Sequence, residues 1–312
     1  MKDFGLGEDL YIKMNARGRQ LSKYENLKAF IEKDSAISKD ISLLRRIDTN
    51  WSDYFFDPKN ISKFDLRGCN FLHYATLFFR LENDNGIIDN KEIIAPNHSI
   101  NDFYEPLRNI DNIKLLDRAI ELFEKFKNEK CMQKYQPSFF NKDKLGYVDI
   151  CYFFSILFYV KENENIEAIS IESLRDYQRV CRHFIENHRL DKPEPVESFF
   201  RLFRHLSKGC NNIYEFLSQN PNHTFHSNIY KLEVKKAKLI LESRRLNTEW
   251  EAILNKTSEH RILVGWVDYL LDFSDEKFEF EEYIYNKDTY KNPKLEQFKQ
   301  YAELTTTITL TF

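Results

Sequence analysis

The sequence predicts a mainly α protein, a multi-helix bundle with one small β-strand, loop and helix unit at its N-terminal end. Three observations lead there. Only 8 Gly and 8 Pro occur in 312 residues, too few turn-formers and breakers for many short strands. Apolar residues recur at steps of three and four through most of the chain, the period of one helix face. The 27 Phe and 17 Tyr, with little Gly or Ala, call for a core of rings and large aliphatics.

The first element is the exception to the helical period. Leu10, Ile12 and Met14 alternate with Tyr11 and Lys13, as in a half-buried strand. Asn15-Ala16-Arg17-Gly18 breaks the alternation, and Gly18 brings backbone freedom. Ser22-Lys23-Tyr24-Glu25 then has the form of a capping box, with Leu27, Phe30 and Ile31 on the apolar side of the helix it opens.

Further helices follow in order. Ile37, Ile41, Leu44, Trp51 and Phe55 form one seam, broken only by Asp48. Phe71, Leu72, Ala75, Phe78 and Phe79 form a second, and Ile113, Leu116, Ile120 and Phe123 a third behind the start signal Asp111-Asn112. Tyr147 to Val160 is the most apolar run. It is shorter than the roughly 20 residues a membrane span needs and carries Asp149, so it reads as a buried helix. Tyr177, Val180, Cys181, Phe184 and Ile185 line the next.

KPEP (192–195) is the best internal boundary, and the helix after it is expected to close on Gly209 at the C′ position. Helices are expected near 227–246, 249–256, 260–272 and 293–304. The acidic run 275–283 reads as an exposed amphipathic helix or a docking surface for a basic partner, and 305–312 as a tail with strand propensity. The implied organisation is 1–34, 35–191, 192–304 and the tail 305–312.

Bulk charge excludes little. The net charge of -3 names no partner, so any nucleic-acid surface has to be local. Five scattered cysteines with no CxxC spacing imply neither a zinc site nor a disulfide framework, and read as reduced, mostly buried thiols of a cytoplasmic protein. No signal peptide is visible and no membrane association is expected.

The opening loop carries the densest chemistry. Lys13, Arg17, Arg19, Lys23 and Lys28 stand against Glu25 alone, just before a helix N-terminus. Arg17 can bind a phosphate or carboxylate bidentately, with Asn15, Gly18 and Arg19 beside it as nucleotide- or phosphate-binding candidates. Taken alone, these residues read first as a well-capped helix behind a solvated loop.

The pattern Asn15, Arg17, Gly18, Leu21, Ser22, Glu25 and Lys28 resembles the domain-of-unknown-function family found in the GmrS half of GmrSD modification-dependent restriction enzymes and in related phage-defence proteins. The match covers about twenty residues. Leu232–Leu246 and Ser258–Phe273 are similar to the helical part of larger members. The resemblance implies a ParB-like nucleotide-handling core followed by a helical region, with NTP and Mg used by the complete family protein. The family's Asp-Gly-Gln-Gln-Arg motif, which normally precedes the Asn-x-Arg-Gly loop, is missing, as is a His-Asn-His nuclease pattern. The expectation is therefore a truncated or split restriction or phage-defence protein, not catalytic alone. It would add a helical scaffold and the loop to a nucleotide or DNA site completed by an upstream polypeptide that carries the catalytic half. The alternative is a stand-alone helical protein-interaction module.

Two basic clusters are nucleic-acid candidates: Arg175, Arg179 and Arg182, then Arg201, Arg204 and Lys208. From Arg175 to Lys208 eight Lys or Arg stand against five Asp or Glu. Taken alone, this stripe reads first as a solvated helix face with local ion pairs to Asp176 and Glu186. His223 and His226 lie three apart in a turn-rich segment without further ligands, so no metal site is expected.

Overall fold

The computed structural model describes residues 20–83, 100–143, 146–223, 227–278 and 292–308. Its architecture is mainly α. Among the described residues the only β pairing is an isolated antiparallel bridge between Asp275 and Pro293. The expected strand at Leu10–Met14 lies outside the described residues. Two compact units are present, one of residues 1–171 and 190–207, the other of residues 172–189 and 208–312.

The first unit is built on two helices that are buried nearly all round, as central core helices are. In α4 (Phe64–Asn83) every residue from Arg67 to Phe79 is buried, and in α6 (Tyr147–Glu162) every residue from Asp149 to Val160. Around them lie α1 (Lys23–Glu32), α2 (Ile41–Asp48), α3 (Asn50–Phe55), α5 (Ile110–Lys125) and α8 (Glu194–Ser207). The core is the ring-rich one the composition calls for. Phe71 meets Phe153 edge-on at 5.5 Å between centroids, and Phe78 meets Phe158 at 4.8 Å and Phe200 at 5.3 Å.

Polar side chains fix the geometry of this core. Arg67 has no solvent exposure. It donates to Asn141 Oδ1 (2.5 Å), the Phe55 carbonyl (2.8 Å) and Asp57 Oδ2 (3.2 Å), so one guanidinium holds two connecting segments against α4. Asn70, one turn on, donates to the carbonyls of Phe140 and Lys142, both at 2.8 Å. Beside Arg67, Gly68 faces the Tyr24 ring so closely that a Cβ would overlap it, which lets α1 lie directly on α4.

The single seam expected over Ile37–Phe55 is two helices. Asp40 caps α2 by accepting from the Leu43 amide at 2.9 Å, which puts Ile41 on the outside at 68% exposure and turns Leu43 and Ile47 inward. The chain breaks at Thr49, and the Trp51 indole donates to Asp117 Oδ1 on α5 at 3.1 Å while Arg46 Nε pairs with Asp117 Oδ2 at 2.6 Å. Ion pairing thus overrode the regular apolar step. Helix α5 is capped by Asn109, two residues before the expected start signal.

The second unit comprises α7 (Ile171–Glu186), α9 (Ile213–Gln219), α10 (Ser227–Leu246), α11 (Trp250–Ser258), α12 (Asp268–Phe273) and α13 (Leu295–Ile308). Here α10 packs against α9 and α11, and Trp250 of α11 meets Phe298 of α13. Helix α10 ends with Asn247 in the left-handed region (φ 52°) and the Thr248 amide donating to the Ser243 carbonyl, a Schellman closure.

Four sequence expectations are corrected here. Gly209 has φ -117°, not a left-handed cap; its smallness matters because a Cβ would overlap Phe216. The helix expected over 260–272 starts only at Asp268, because 259–267 is taken by a tight turn. Asp275 to Phe278 is bridge and turn, with 279–283 outside the described residues. The tail is helical through Ile308: Thr305, Thr306 and Thr307 each return their hydroxyl to the carbonyl four residues back at 2.8 Å, which reconciles β-branched threonines with a helix.

Candidate functional site

Asn15, Arg17, Gly18 and Arg19 lie outside the described residues, but the platform directly behind them is defined. The capping box forms: Ser22 Oγ accepts from the Glu25 amide at 3.2 Å and the Ser22 amide donates to Glu25 Oε2 at 2.6 Å. The Ser22 hydroxyl also donates to Asp65 Oδ1 of α4 at 2.8 Å, and Lys28 Nζ pairs with Asp48 at 2.6 Å. Tyr24, Leu27 and Ile31 are buried. Every charged or hydroxyl-bearing residue in the described half of the motif therefore anchors α1. Two carboxylates, Glu25 and Asp65, already sit at this helix end. An incoming anion would meet that negative charge, so its binding energy would have to come from Arg17 and Arg19 rather than from the helix dipole.

The two basic clusters are placed differently. Arg179 is mostly enclosed and shares Asp176 with Arg244: Arg179 Nη1 donates to Asp176 Oδ1 (2.7 Å) and to the Tyr214 hydroxyl (2.8 Å), and Arg244 Nη2 to Asp176 Oδ2 (2.7 Å). Arg182 Nε pairs with Glu186 at 3.1 Å, and Arg175 is exposed. The two ion-pair partners are the ones spacing suggested, and they take up much of the positive charge of this stripe. On α8, Arg201 is exposed, 4.0 Å from Glu197, and Arg204 lies over the Phe200 ring at 4.8 Å. Lys208 is exposed in the turn that follows.

A third constellation was not read from the sequence. On α10 the buried Glu233 and Lys236 form an ion pair within one helical turn, and on α7 His183 closes it. His183 Nδ1 lies 3.0 Å from both Glu233 Oε1 and Lys236 Nζ. Lys236 also donates to the Gly265 carbonyl at 3.1 Å, and Asn187 Nδ2 to the Val264 carbonyl at 2.5 Å. Those carbonyls belong to the turn 259–267, where Val264 has φ 39° and Gly265 φ 83°. A β-branched residue at positive φ is strained. Gly265 is also pressed on the His183 ring, where a Cβ would overlap. The cluster thus holds a strained turn whose outer side exposes Ile262 at 59% and Trp266 at 39%. The readable signal was Glu-x-x-Lys inside an otherwise apolar face, Leu232, Val234, Ala237 and Ile240.

Burial, reinforced by the Lys236 ammonium, lowers the His183 pKa from 6.5 to about 4, even though Glu233 pulls the other way. Burial pushes Glu233 up, but Lys236 and His183 outweigh it and hold the carboxyl below its usual range. The unfolded chain takes up the imidazole proton first, so stability rises with pH across this window. It is fully present above about 6.5 and lost as pH falls toward about 4. The urea midpoint of His183→Asn should accordingly approach that of the wild type as pH drops from 7 to 5, whereas parallel midpoints would contradict this.

Among the described residues no three His, Cys, Asp or Glu are grouped as a metal site, and no helix is long and apolar enough to cross a membrane. His223 stacks on Tyr230, and His226 lies outside the described residues. Cys69, Cys151, Cys181 and Cys210 are buried, and Cys131 is half-buried. No family model, curated protein or solved structure matches the chain.

Proposed function

We propose that this chain is a non-catalytic helical part of a GmrSD-like restriction or phage-defence protein, lending the Asn15-x-Arg17-Gly18 loop to a nucleotide or DNA site completed by another polypeptide. The observation that carries this reading is the anchoring of α1. The box between Ser22 and Glu25, the Ser22 bond to Asp65 and the Lys28 pair with Asp48 make the element behind the loop rigid, as a binding loop requires. Arg17 and Arg19 supply the anion-binding charge. In a complex reconstituted with a polypeptide carrying the Gln-Gln-Arg motif, Arg17→Ala should weaken NTP or DNA binding ~10-fold or more, the scale of a charged hydrogen bond. Unchanged affinity in a folded variant counts against the loop.

A second reading, a stand-alone interaction module, has its own support. Ile262 and Trp266 are exposed on a turn whose backbone is fixed from inside. Full NTP and DNA inactivity of the reconstituted complex would favour it.

A further inference from the structure

Helix α10 sorts its cations into two sets. Those that turn inward or sideways each meet a carboxylate: Lys236 pairs with Glu233, Lys235 with Asp272 at 2.6 Å, and Arg244 with Asp176 at 2.7 Å and Glu251 at 2.5 Å. Lys231, Lys238 and Arg245 are exposed, as Arg244 is, but none of the three has a carboxylate within 3.5 Å among the described residues. Lys231 and Lys238 have no ion pair among the described residues, and Arg245 has only Glu242 at 4.0 Å, itself half exposed. These three stand seven residues apart, so they fall on one side of the helix at intervals of about 10.5 Å, a row roughly 21 Å long. Glu242 is the only acidic residue of the helix on that side. The single large exposed apolar residue of the helix is Leu246 at its end, so the face lacks the apolar stripe that insertion into a lipid surface needs.

We infer that the outer face of α10, through Lys231, Lys238 and Arg245, is a contact surface for the phosphate backbone of a nucleic acid. A row of three exposed cations with a single, loosely paired carboxylate beside it suits a polyanion whose charges repeat along its length. Lys231 and Lys238, two turns apart, supply point charges rather than bidentate donors, which suits phosphates rather than base edges. The inference stands apart from the loop reading, as it needs neither Arg17 nor a completing polypeptide.

The test uses the full chain and a fluorescein-labelled 20-base-pair duplex of random sequence, followed by anisotropy. Three phosphate contacts predict a slope of about -2.7 in log affinity against log salt, an ~80-fold weakening between 20 and 100 mM KCl. Lys231→Gln/Lys238→Gln/Arg245→Gln should lose most of the binding and most of that slope with helicity and unfolding midpoint unchanged. Lys39→Gln/Lys59→Gln, on two exposed lysines of the first unit that belong to no candidate site, should keep wild-type affinity. No wild-type binding at 20 mM, wild-type affinity in the triple variant, or binding to phosphatidylserine vesicles in place of the duplex would each overturn the inference.

Discussion

Replacing Glu233 by Leu is expected to destabilise the protein by about 3–5 kcal/mol, because it leaves the buried ammonium of Lys236 without its counter-charge. Both side chains are almost wholly enclosed, with 2% and 3% of the two residues exposed. His183 cannot take the place of the carboxylate, since its neutral ring offers only one nitrogen toward the lysine. The double variant Glu233→Leu/Lys236→Met should recover most of the loss, since two apolar side chains of similar size remove both charges together. Urea unfolding of the four members of this cycle measures the coupling. A single variant within about 1 kcal/mol of wild type would show that the pair is solvated or dispensable. The turn 259–267 should also open, because the Gly265 carbonyl depends on an ordered Lys236, so tryptic cleavage at the exposed Arg261 should speed up in Glu233→Leu.

The other large effect belongs to Arg67. Arg67→Met should cost about 2–3 kcal/mol, although Met fills much of the same space, because the guanidinium serves three acceptors at once and the buried Phe55 carbonyl loses its donor. The Phe55 carbonyl would be left without this buried donor, and Asn141 and Asp57 would lose their anchor to α4. Arg67→Lys should recover only part of the loss, as one ammonium cannot reach three divergent acceptors in the geometry of a planar fork. Calorimetric or urea unfolding distinguishes the two variants, and equal stability of Arg67→Met and wild type would mean that the segments around Phe55 and Asn141 are held by packing alone.

Both predictions concern charged residues that sit where sequence patterning expects apolar ones. Arg67 precedes the Phe71 seam and Glu233 and Lys236 interrupt the apolar face of α10. In each case one partner is remote in sequence: Asn141 is 74 residues from Arg67, and His183 is 50 from Glu233. Local pattern reports which face of a helix is buried, but not which distant carbonyl or ring will neutralise a charge there.

What the sequence determined by itself is the ring-rich core, from composition, and the helical content, the span 227–246 of α10 and the capping box at Ser22, because these last three rest on interactions within four residues along the chain. The Arg179 pair with Asp176 and the Arg182 pair with Glu186 were legible for the same reason. Only the tertiary structure decided that 259–267 is a strained turn and not a helix, and that a Lys-Glu-His cluster lies beneath it. Those outcomes depend on which hydrogen-bond and ion-pair partners the fold brings within about 3 Å, and a buried charge takes whichever conformation supplies them. The same division runs through the basic residues. Their spacing is written in the sequence, but the carboxylates that consume Lys235, Lys236 and Arg244, and that leave Lys231 and Lys238 facing outward, are brought there by folding.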